Sequence, residues 1–367
     1  MLPWLIQHGY FSLDRFPIGM TGDSTILLTA RLAVASIMAF VFSLIAGPFA
    51  ISWLKSRYRE RIASDSARLN ELHAGKNATP TMGGLFILIS LLLSTVIFAD
   101  LSNTFVQLAI VTAISFGALG ALDDWTKISS KKNGLSARRK FQLQCIIALV
   151  ISTVIYYSHR GLTEGTSLQA PIGSLAITLG VFMIPWSMVV IVGSSNGVNL
   201  TDGLDGLAAG CLVFAGLAVA ALSYIAGNAI LSDYFSEPFI PGAGELAVVM
   251  GAFVGACLGF LWFNAHPAEV FMGDTGSLPL GALLGLTAVV IRQELLLILI
   301  GGVFVVETLS VFLQVAYFKR TRKRILACSP LHNHFLFKGM HETKIVTRFW
   351  IVSALLAILA LATLKIQ

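Results

Sequence analysis

The sequence predicts an all-α membrane protein with about ten transmembrane helices. Of its 367 residues, 56% are hydrophobic and only 12% are charged, and the mean hydropathy is +0.81. A soluble protein of this length would carry roughly a quarter charged residues. Apolar runs of about 20 residues recur along the whole chain, as transmembrane helices require. The runs are continuous rather than alternating, which argues against a β-barrel.

Ten apolar spans follow one another along the chain. Their approximate bounds are 25–54, 81–99, 104–122, 141–158, 173–192, 205–226, 244–263, 277–291, 295–318 and 345–365. Two ionisable side chains fall inside spans. We interpret Arg31 as snorkelling to the outer interface and Glu307 as pairing inside the bundle. The neighbouring glycines at 301 and 302 predict a weak point in the ninth span.

The distribution of cations predicts the orientation of these spans. Of the 25 Lys and Arg residues, 19 lie in the three loops at 55–80, 123–140 and 319–344. With ten spans, all three loops fall on one side, which is cytoplasmic by the positive-inside rule. Both termini are then outside. The net charge of +6 therefore reflects topology rather than a nucleic-acid partner.

The segment at 193–207, GSSNGVNLTDGLDGL, is the richest in polar side chains. Asn196, Asn199, Asp202 and Asp205 recur every three residues, without any Lys or Arg among them. On a helix these four would share one broad face. Polar groups at the end of a membrane helix are costly unless they face protein, water or a ligand. The segment predicts a site for a cation or a hydrogen-bonding substrate, and a polar turn between helices is the alternative.

Two other segments bring carboxylates to the same face. Asp123 and Asp124 are adjacent at the inner end of the third span, where they repel each other and oppose the helix dipole. Such a pair suits a divalent metal or a catalytic base beside one, with a solvated loop as the alternative. Asp274 precedes Thr-Gly-Ser, which lets the chain turn and present the carboxylate. Phe271 suits stacking on a nucleobase or anchoring at the membrane interface.

Two more loops on this side carry polar motifs. The segment TPTMGG at 79–84 contains Thr81 and predicts a tight turn whose backbone N–H groups approach a phosphate. A simple helix start is the alternative. His332 and His334 flank Asn333 in a loop that suits charge or proton supply near a phosphate. No cysteine or paired ligand spacing supports zinc there.

Acidic clusters, a histidine loop and basic loops on one membrane face together predict Mg²⁺-assisted phosphoryl transfer. The reaction would join a soluble nucleotide and a lipid at the cytoplasmic interface. A secondary transporter is a remote alternative, because its polar residues would lie near the bilayer midplane.

The motifs DDWTK, NGVNLTDGLDGLA, VFMGDTGSLPLG, TPTMGG and the H-x-H loop resemble those of the polyprenyl-phosphate N-acetylhexosamine-1-phosphate transferases. The resemblance runs from about Arg68 to RFWI at 348–351. It is greatest to members that join UDP-N-acetylmuramoyl-pentapeptide to undecaprenyl phosphate, giving lipid I and UMP in peptidoglycan synthesis. Members that use UDP-N-acetylglucosamine are the alternative.

The resemblance also implies an architecture and a set of roles. It implies a homodimer in the bacterial inner membrane, periplasmic termini and a cytoplasmic Mg²⁺ site. The lack of a fixed-period repeat or a low-complexity tract in the sequence predicts one domain over 1–367. Asp123, Asp124 and Asp274 match catalytic or metal-associated aspartates, and we add His332 to the catalytic set. Lys127 and Lys140 match substrate-binding basic residues near the phosphates. The other substrate-binding positions are Lys76, Thr81, Asn196, Asn199, Asp202, Asp205, Asn264, Phe271, Asn333 and His334. Asn333 replaces the middle histidine of a usual triplet, which removes its proton switch.

Overall fold

The computed structural model describes residues 1, 3, 28–57, 79–129, 134–162, 165–169 and 176–364. Its helices are α1 (Leu28–Arg57), α2 (Gly84–Phe98), α3 (Thr104–Ser129), α4 (Ala137–His159), α5 (Met183–Thr201), α6 (Leu207–Ala226), α7 (Ala229–Phe235), α8 (Gly244–Asn264), α9 (Asp274–Val290), α10 (Glu294–Ile300), α11 (Gly302–Thr321), α12 (Leu331–Phe337) and α13 (Glu342–Thr363). One antiparallel hairpin, β1 (Ser167–Gln169) and β2 (Ala176–Thr178), lies between α4 and α5.

The helices confirm the predicted fold class. Eight described helices are long and apolar enough to cross a membrane, and α2 and α9 are shorter apolar helices. Together they occupy the ten predicted spans. The protein is therefore an all-α polytopic membrane protein.

Helices α8 and α9 form the centre of the bundle, and α9 is buried along its entire length. Helix α8 packs against α1 and α6, while α9 packs against α3 and α5. Small residues let these helices approach closely. A Cβ atom on Gly255 of α8 would lie 1.9 Å from the backbone oxygen of Ser36 on α1. Such small-residue contacts are typical of helix packing in membranes.

The two ionisable residues inside spans have different outcomes. The snorkelling interpretation of Arg31 is wrong, because its guanidinium is buried and donates to Glu245 at 2.9 Å. The Glu245 carboxylate offsets the cost of burying the guanidinium charge, so the Arg31 side chain need not extend to the membrane interface. Glu307 does pair inside the bundle, with His332. The predicted weak point in the ninth span is confirmed, since α10 ends at Ile300 and α11 begins at Gly302.

Several helix ends differ from the predicted span ends. Helix α3 continues to Ser129 and α5 to Thr201, although their apolar runs end near 122 and 192. Residues 176–178 belong to the hairpin instead of the fifth span. The helices continue because their polar terminal residues face other protein groups, which satisfy them. This places Asp123, Asp124, Asn196 and Asn199 on helices.

Candidate active site

Three aspartates meet where the end of α3 approaches the start of α9. A Cβ atom on Gly120 would lie 2.2 Å from the backbone oxygen of Asp274, so the two backbones touch at this point. Asp123, Asp124 and Asp274 are each buried, and their carboxylates offer oxygens that all lie within 4.8 Å of one another. The described residues thus contain a carboxylate cluster that could hold a divalent cation.

The two adjacent aspartates have different partners. The carboxylate of Asp124 accepts hydrogen bonds from the backbone N–H of Asp274 at 3.1 Å and of Thr275 at 2.9 Å. It also accepts from the Thr275 hydroxyl at 2.7 Å. Asp124 therefore satisfies the free N–H groups at the start of α9, as an N-terminal anion does. Asp123 accepts one backbone hydrogen bond, from Leu135 at 2.8 Å.

Two lysines offset most of the negative charge of this cluster. The Nζ atom of Lys127 lies 3.0 Å from Asp123, 3.3 Å from Asp124 and 3.2 Å from Asp274. Lys140, at the start of α4, donates to Asp274 and lies 3.7 Å from Asp123. An ammonium group therefore sits where the carboxylate oxygens converge. Opposite charges at such distances offset much of the cost of burying carboxylates.

The end of α5 reaches the cluster through one asparagine. Asn199 donates to Asp274 at 2.7 Å and to the Ser277 hydroxyl at 2.8 Å. Asn196 instead donates to Gln144 of α4 at 2.8 Å. Asp202, just beyond the helix, is partly buried. Burial raises its pKa to about 7, and the nearby carboxylates of Asp274 and Asp124 add to the rise.

The prediction that four residues of this segment share one helical face is wrong. Helix α5 ends at Thr201, so Asp202 and Asp205 lie in the turn that leads to α6. Asp205 accepts hydrogen bonds from His266 at 3.0 Å and from the backbone of Ala268 at 3.2 Å. Asp205 and His266 form a second group with Glu342 whose ligand atoms lie within 4.8 Å of one another.

Asn264 and Phe271 lie on the segment between α8 and α9. Asn264 accepts from the backbone of Gly206 at 3.0 Å and donates to the backbone of Val270 at 2.8 Å. It therefore ties the turn after Asp205 to the residues that precede Asp274. Phe271 is partly exposed, between this tie and the carboxylate cluster.

The glycine N–H groups of the TPTMGG segment are not free to bind a phosphate, so that prediction is wrong. Those of Gly83 and Gly84 donate to the backbone oxygens of Phe271 and Met272, at 2.8 and 2.9 Å. The helix-start alternative is correct, since α2 begins at Gly84. Thr81 is buried beneath the loop that leads to Asp274. Lys76 lies outside the described residues.

The histidine loop forms the short helix α12. His332 is buried, and its Nδ1 atom lies 3.0 Å from the carboxylate of Glu307. The same carboxylate accepts from the His332 backbone at 3.0 Å. The other ring nitrogen faces Gly203, where a Cβ atom would lie 2.3 Å away. His332 therefore packs beside the turn that carries Asp202.

The other two members of the loop point elsewhere. The buried amide oxygen of Asn333 finds no hydrogen-bond partner within the described ranges. The ring of His334 accepts from the backbone of Ala327 at 3.0 Å, inside its own loop. Several contributors were missed at the sequence level, namely Leu135, Gln144, His266, Thr275, Ser277 and Glu342. Thr275 and Ser277 could have been found, because a helix start beside a carboxylate needs such donors.

Comparison with known proteins identifies the family. Residues 106–292 match glycosyl transferase family 4. A phospho-N-acetylmuramoyl-pentapeptide-transferase of Citrifermentans bemidjiense is 46% identical, over 93% of this chain and 94% of its own. Proteins of the same name from Desulforapulum autotrophicum and Koribacter versatilis are 44% and 43% identical, each over 100% of this chain and 99% and 100% of their own.

The chain belongs to the phospho-N-acetylmuramoyl-pentapeptide-transferase family. The matched region, 106–292, contains all three clustered aspartates, both lysines and Asn199. The full-length relatives also cover the histidine loop and α13, so the site lies within the part that this family shares.

Proposed function

We propose that this protein transfers phospho-N-acetylmuramoyl-pentapeptide from UDP-N-acetylmuramoyl-pentapeptide to undecaprenyl phosphate, giving lipid I and UMP. The observation that carries the proposal is the convergence of three buried carboxylates on two lysines at one end of a membrane bundle. The relatives' names supply the donor sugar. Carboxylates and cations of this kind suit a phosphoryl transfer that depends on positioning and charge neutralisation.

The donor set fits Mg²⁺, because it offers only carboxylate oxygens, arranged around the position that an ammonium group takes here. Asp274 would hold the ion, since hydrogen bonds from the α9 backbone already commit Asp124 and Asp123 is kept for the acceptor's proton. Bound Mg²⁺ would neutralise the donor pyrophosphate and the departing UMP. Asn199 keeps the Asp274 carboxylate in place. Lys127 and Lys140 are then available to the phosphates.

We assign the acceptor's proton to Asp123, whose carboxylate lies 3.0 Å from Lys127 and 3.7 Å from Lys140 and is not used to cap α9, as that of Asp124 is. The acceptor phosphate is itself an anion, so direct displacement needs only modest help from a base, roughly 10²- to 10⁴-fold. A covalent route through an aspartate would allow labelled UMP to exchange into the donor without lipid. We expect no such exchange once lipid is fully removed, and exchange would contradict direct displacement.

An apolar cavity supports the assignment of a lipid acceptor. Its volume is about 290 Å³, and it lies between α11, α12 and α13. Val306, Leu331 and Phe349 are among its lining residues, as is Gly302 at the start of α11. Leu331 precedes His332 in α12, so one short helix separates the cavity from the turn that carries Asp202. An alkyl chain in this cavity would bring its phosphate towards the aspartates.

The distribution of charge and the family resemblance support the rest of the proposal, namely the orientation, the location, the single domain and the oligomeric state. The concentration of cations in three loops supports a cytoplasmic site and termini outside, in the bacterial inner membrane. We also propose a single domain over the whole chain, acting as a homodimer.

A product assay tests the proposed function. Purified protein receives Mg²⁺, undecaprenyl phosphate and either UDP-N-acetylmuramoyl-pentapeptide or UDP-N-acetylglucosamine, and UMP release is measured. We expect release with the first donor and not with the second. UMP release with UDP-N-acetylglucosamine and not with UDP-N-acetylmuramoyl-pentapeptide would instead favour an N-acetylglucosamine-1-phosphate transferase. The Asp274→Asn variant provides the inactive control.

A further inference from the structure

The turn between α5 and α6 is fixed by contacts from two distant segments. The backbone N–H of Asp205 donates to Glu342 at 2.8 Å, and its carboxylate accepts from His266 at 3.0 Å. The next residue, Gly206, donates to Asn264 at 3.0 Å and accepts from the indole N–H of Trp350 at 3.1 Å. Successive backbone groups of the turn are therefore held by side chains from both segments.

Two of these side chains come from α13, which otherwise belongs to the lipid-facing part of the bundle. Trp350 is partly buried, and its indole ring packs against Gly210 of α6. A Cβ atom on Gly210 would lie 2.0 Å from the indole nitrogen, so only a glycine allows this approach. Glu342 begins α13 and is also largely buried. Helix α13 thus reaches the turn through two side chains that lie eight residues apart in the chain.

The cluster of Asp205, His266 and Glu342 has the composition of a metal site, but its hydrogen bonds give it another role. One oxygen of Asp205 already accepts from His266 and from the backbone of Ala268. One oxygen of Glu342 already accepts from the backbone of Asp205. The polar groups satisfy one another's hydrogen bonds without a metal ion. We call Glu342, His266 and Trp350 together the clasp, because they hold the Asp205–Gly206 turn to segments that are distant in the chain.

The Asp205–Gly206 turn lies between two groups of candidate substrate-binding residues, one that includes Asp202 and one that includes Asn264 and Phe271. On one side Asp202 and Gly203 lead into it, and Gly203 packs against His332. On the other side Asn264 connects it to Val270, the neighbour of Phe271. A displacement of the turn would therefore change the distance between these two sides.

We infer that Glu342, His266 and Trp350 are positioning residues that hold the Asp205–Gly206 turn and thereby set the affinity for the donor's nucleotide. This inference rests on the proposed function for the identity of the donor. The three residues act through the turn, without contact with the reacting phosphates. Their loss should weaken donor binding and leave the chemical step intact.

The test compares four variants with the unmutated full-length protein in detergent. Trp350→Phe removes one hydrogen bond and keeps the aromatic ring, and Glu342→Ala removes the acceptor for Asp205. Glu342→Gln keeps an acceptor oxygen, so it should behave like the unmutated protein. Trp262→Phe is the matched control, because that indole is 68% exposed. KM and kcat are measured for donor and acceptor, UMP affinity by calorimetry, and folding by the thermal unfolding midpoint.

We expect Trp350→Phe and Glu342→Ala to raise the donor KM and the Kd of UMP about three- to tenfold, as the loss of one hydrogen bond does. The kcat and the acceptor KM should stay within about twofold. Unchanged UMP affinity in both variants would overturn the inference, as would a loss confined to kcat. If the unmutated protein bound UMP without transferring the sugar, the proposed function would fail, while the Kd of UMP would still decide the role of the clasp.

Discussion

Two neighbouring aspartates show how the fold separates residues that the sequence presents as a pair. Asp124 caps the start of α9 through three hydrogen bonds. Asp123 faces both lysines and receives one backbone hydrogen bond. Adjacent carboxylates at a helix end indicate function, but the sequence does not show which of the two accepts hydrogen bonds from the start of α9. That division depends on the approach of α9, a contact distant in the chain.

The two aspartates should therefore respond differently to the same change. Asp123→Asn should keep its unfolding midpoint within a few degrees and lower kcat about 10²-fold or more, because the amide cannot take a proton. Asp124→Asn should lower both, since its NH₂ group can face the N–H donors of α9 and weaken the cap. Thermal unfolding and UMP release measure the two effects. Equal midpoints for the two variants would contradict the capping role.

At the scale of elements, the apolar runs located the helices but misjudged their ends. Helix α5 continues nine residues past its predicted end because Asn199 finds partners on α9. The break before α11 was predictable, since adjacent glycines are a local signal. The clasp around Asp205 was not predictable, because its partners Glu342 and Trp350 lie more than 130 residues away. Local sequence signals therefore predict where the helices lie, whereas the site geometry depends on partners that are distant in the chain.

The contact between α3 and α9 makes a glycine at position 120 necessary. Gly120→Ala would place a methyl group against the backbone of Asp274, which cannot move without shifting the start of α9. We expect a loss of about 1–3 kcal/mol in stability, typical of overpacking, and a large fall in kcat. The unfolding midpoint and UMP release measure both. Gly193→Ala in α5 is the control, since its Cβ would meet nothing within 4 Å, and a similar loss there would contradict the argument.

The loop between α7 and α8, at the opposite end from the aspartates, carries a buried carboxylate. Burial raises the pKa of Glu237 to about 7, against an opposing hydrogen bond from Gln293. A raised folded-state pKa gives stability that is complete below the unfolded value of about 4.5 and is lost as the pH rises through 7. We expect the unfolding midpoint to fall between pH 5 and pH 8.5, and Glu237→Gln to remove much of that fall. Asp233→Asn, exposed on α7, should leave it unchanged, and an equal effect there would refute this origin.

At the scale of the whole molecule, composition predicted a polytopic helical bundle and family comparison supports it across the full chain. The aspartates, the histidine loop and the clasp all lie at the same end of the bundle as the basic loops. Helix α6 leads from the clasped turn to the loop that holds α7, and α8 returns from that loop to Asn264. The α7 loop therefore lies on the other side of the membrane from the candidate site.

The orientation of the bundle can be tested with single cysteines in intact cells. Residues Lys323 and Asp233 are both exposed, the first beyond α11 near the site and the second on α7. In a background with Cys145 and Cys328 replaced by serine, Asp233→Cys should react with an impermeant maleimide from outside. Lys323→Cys should react only after the cells are permeabilised, because the excess of cations holds its loop in the cytoplasm. The reverse pattern would place the aspartates outside, away from soluble nucleotides, and would remove the physical basis of the proposed transfer.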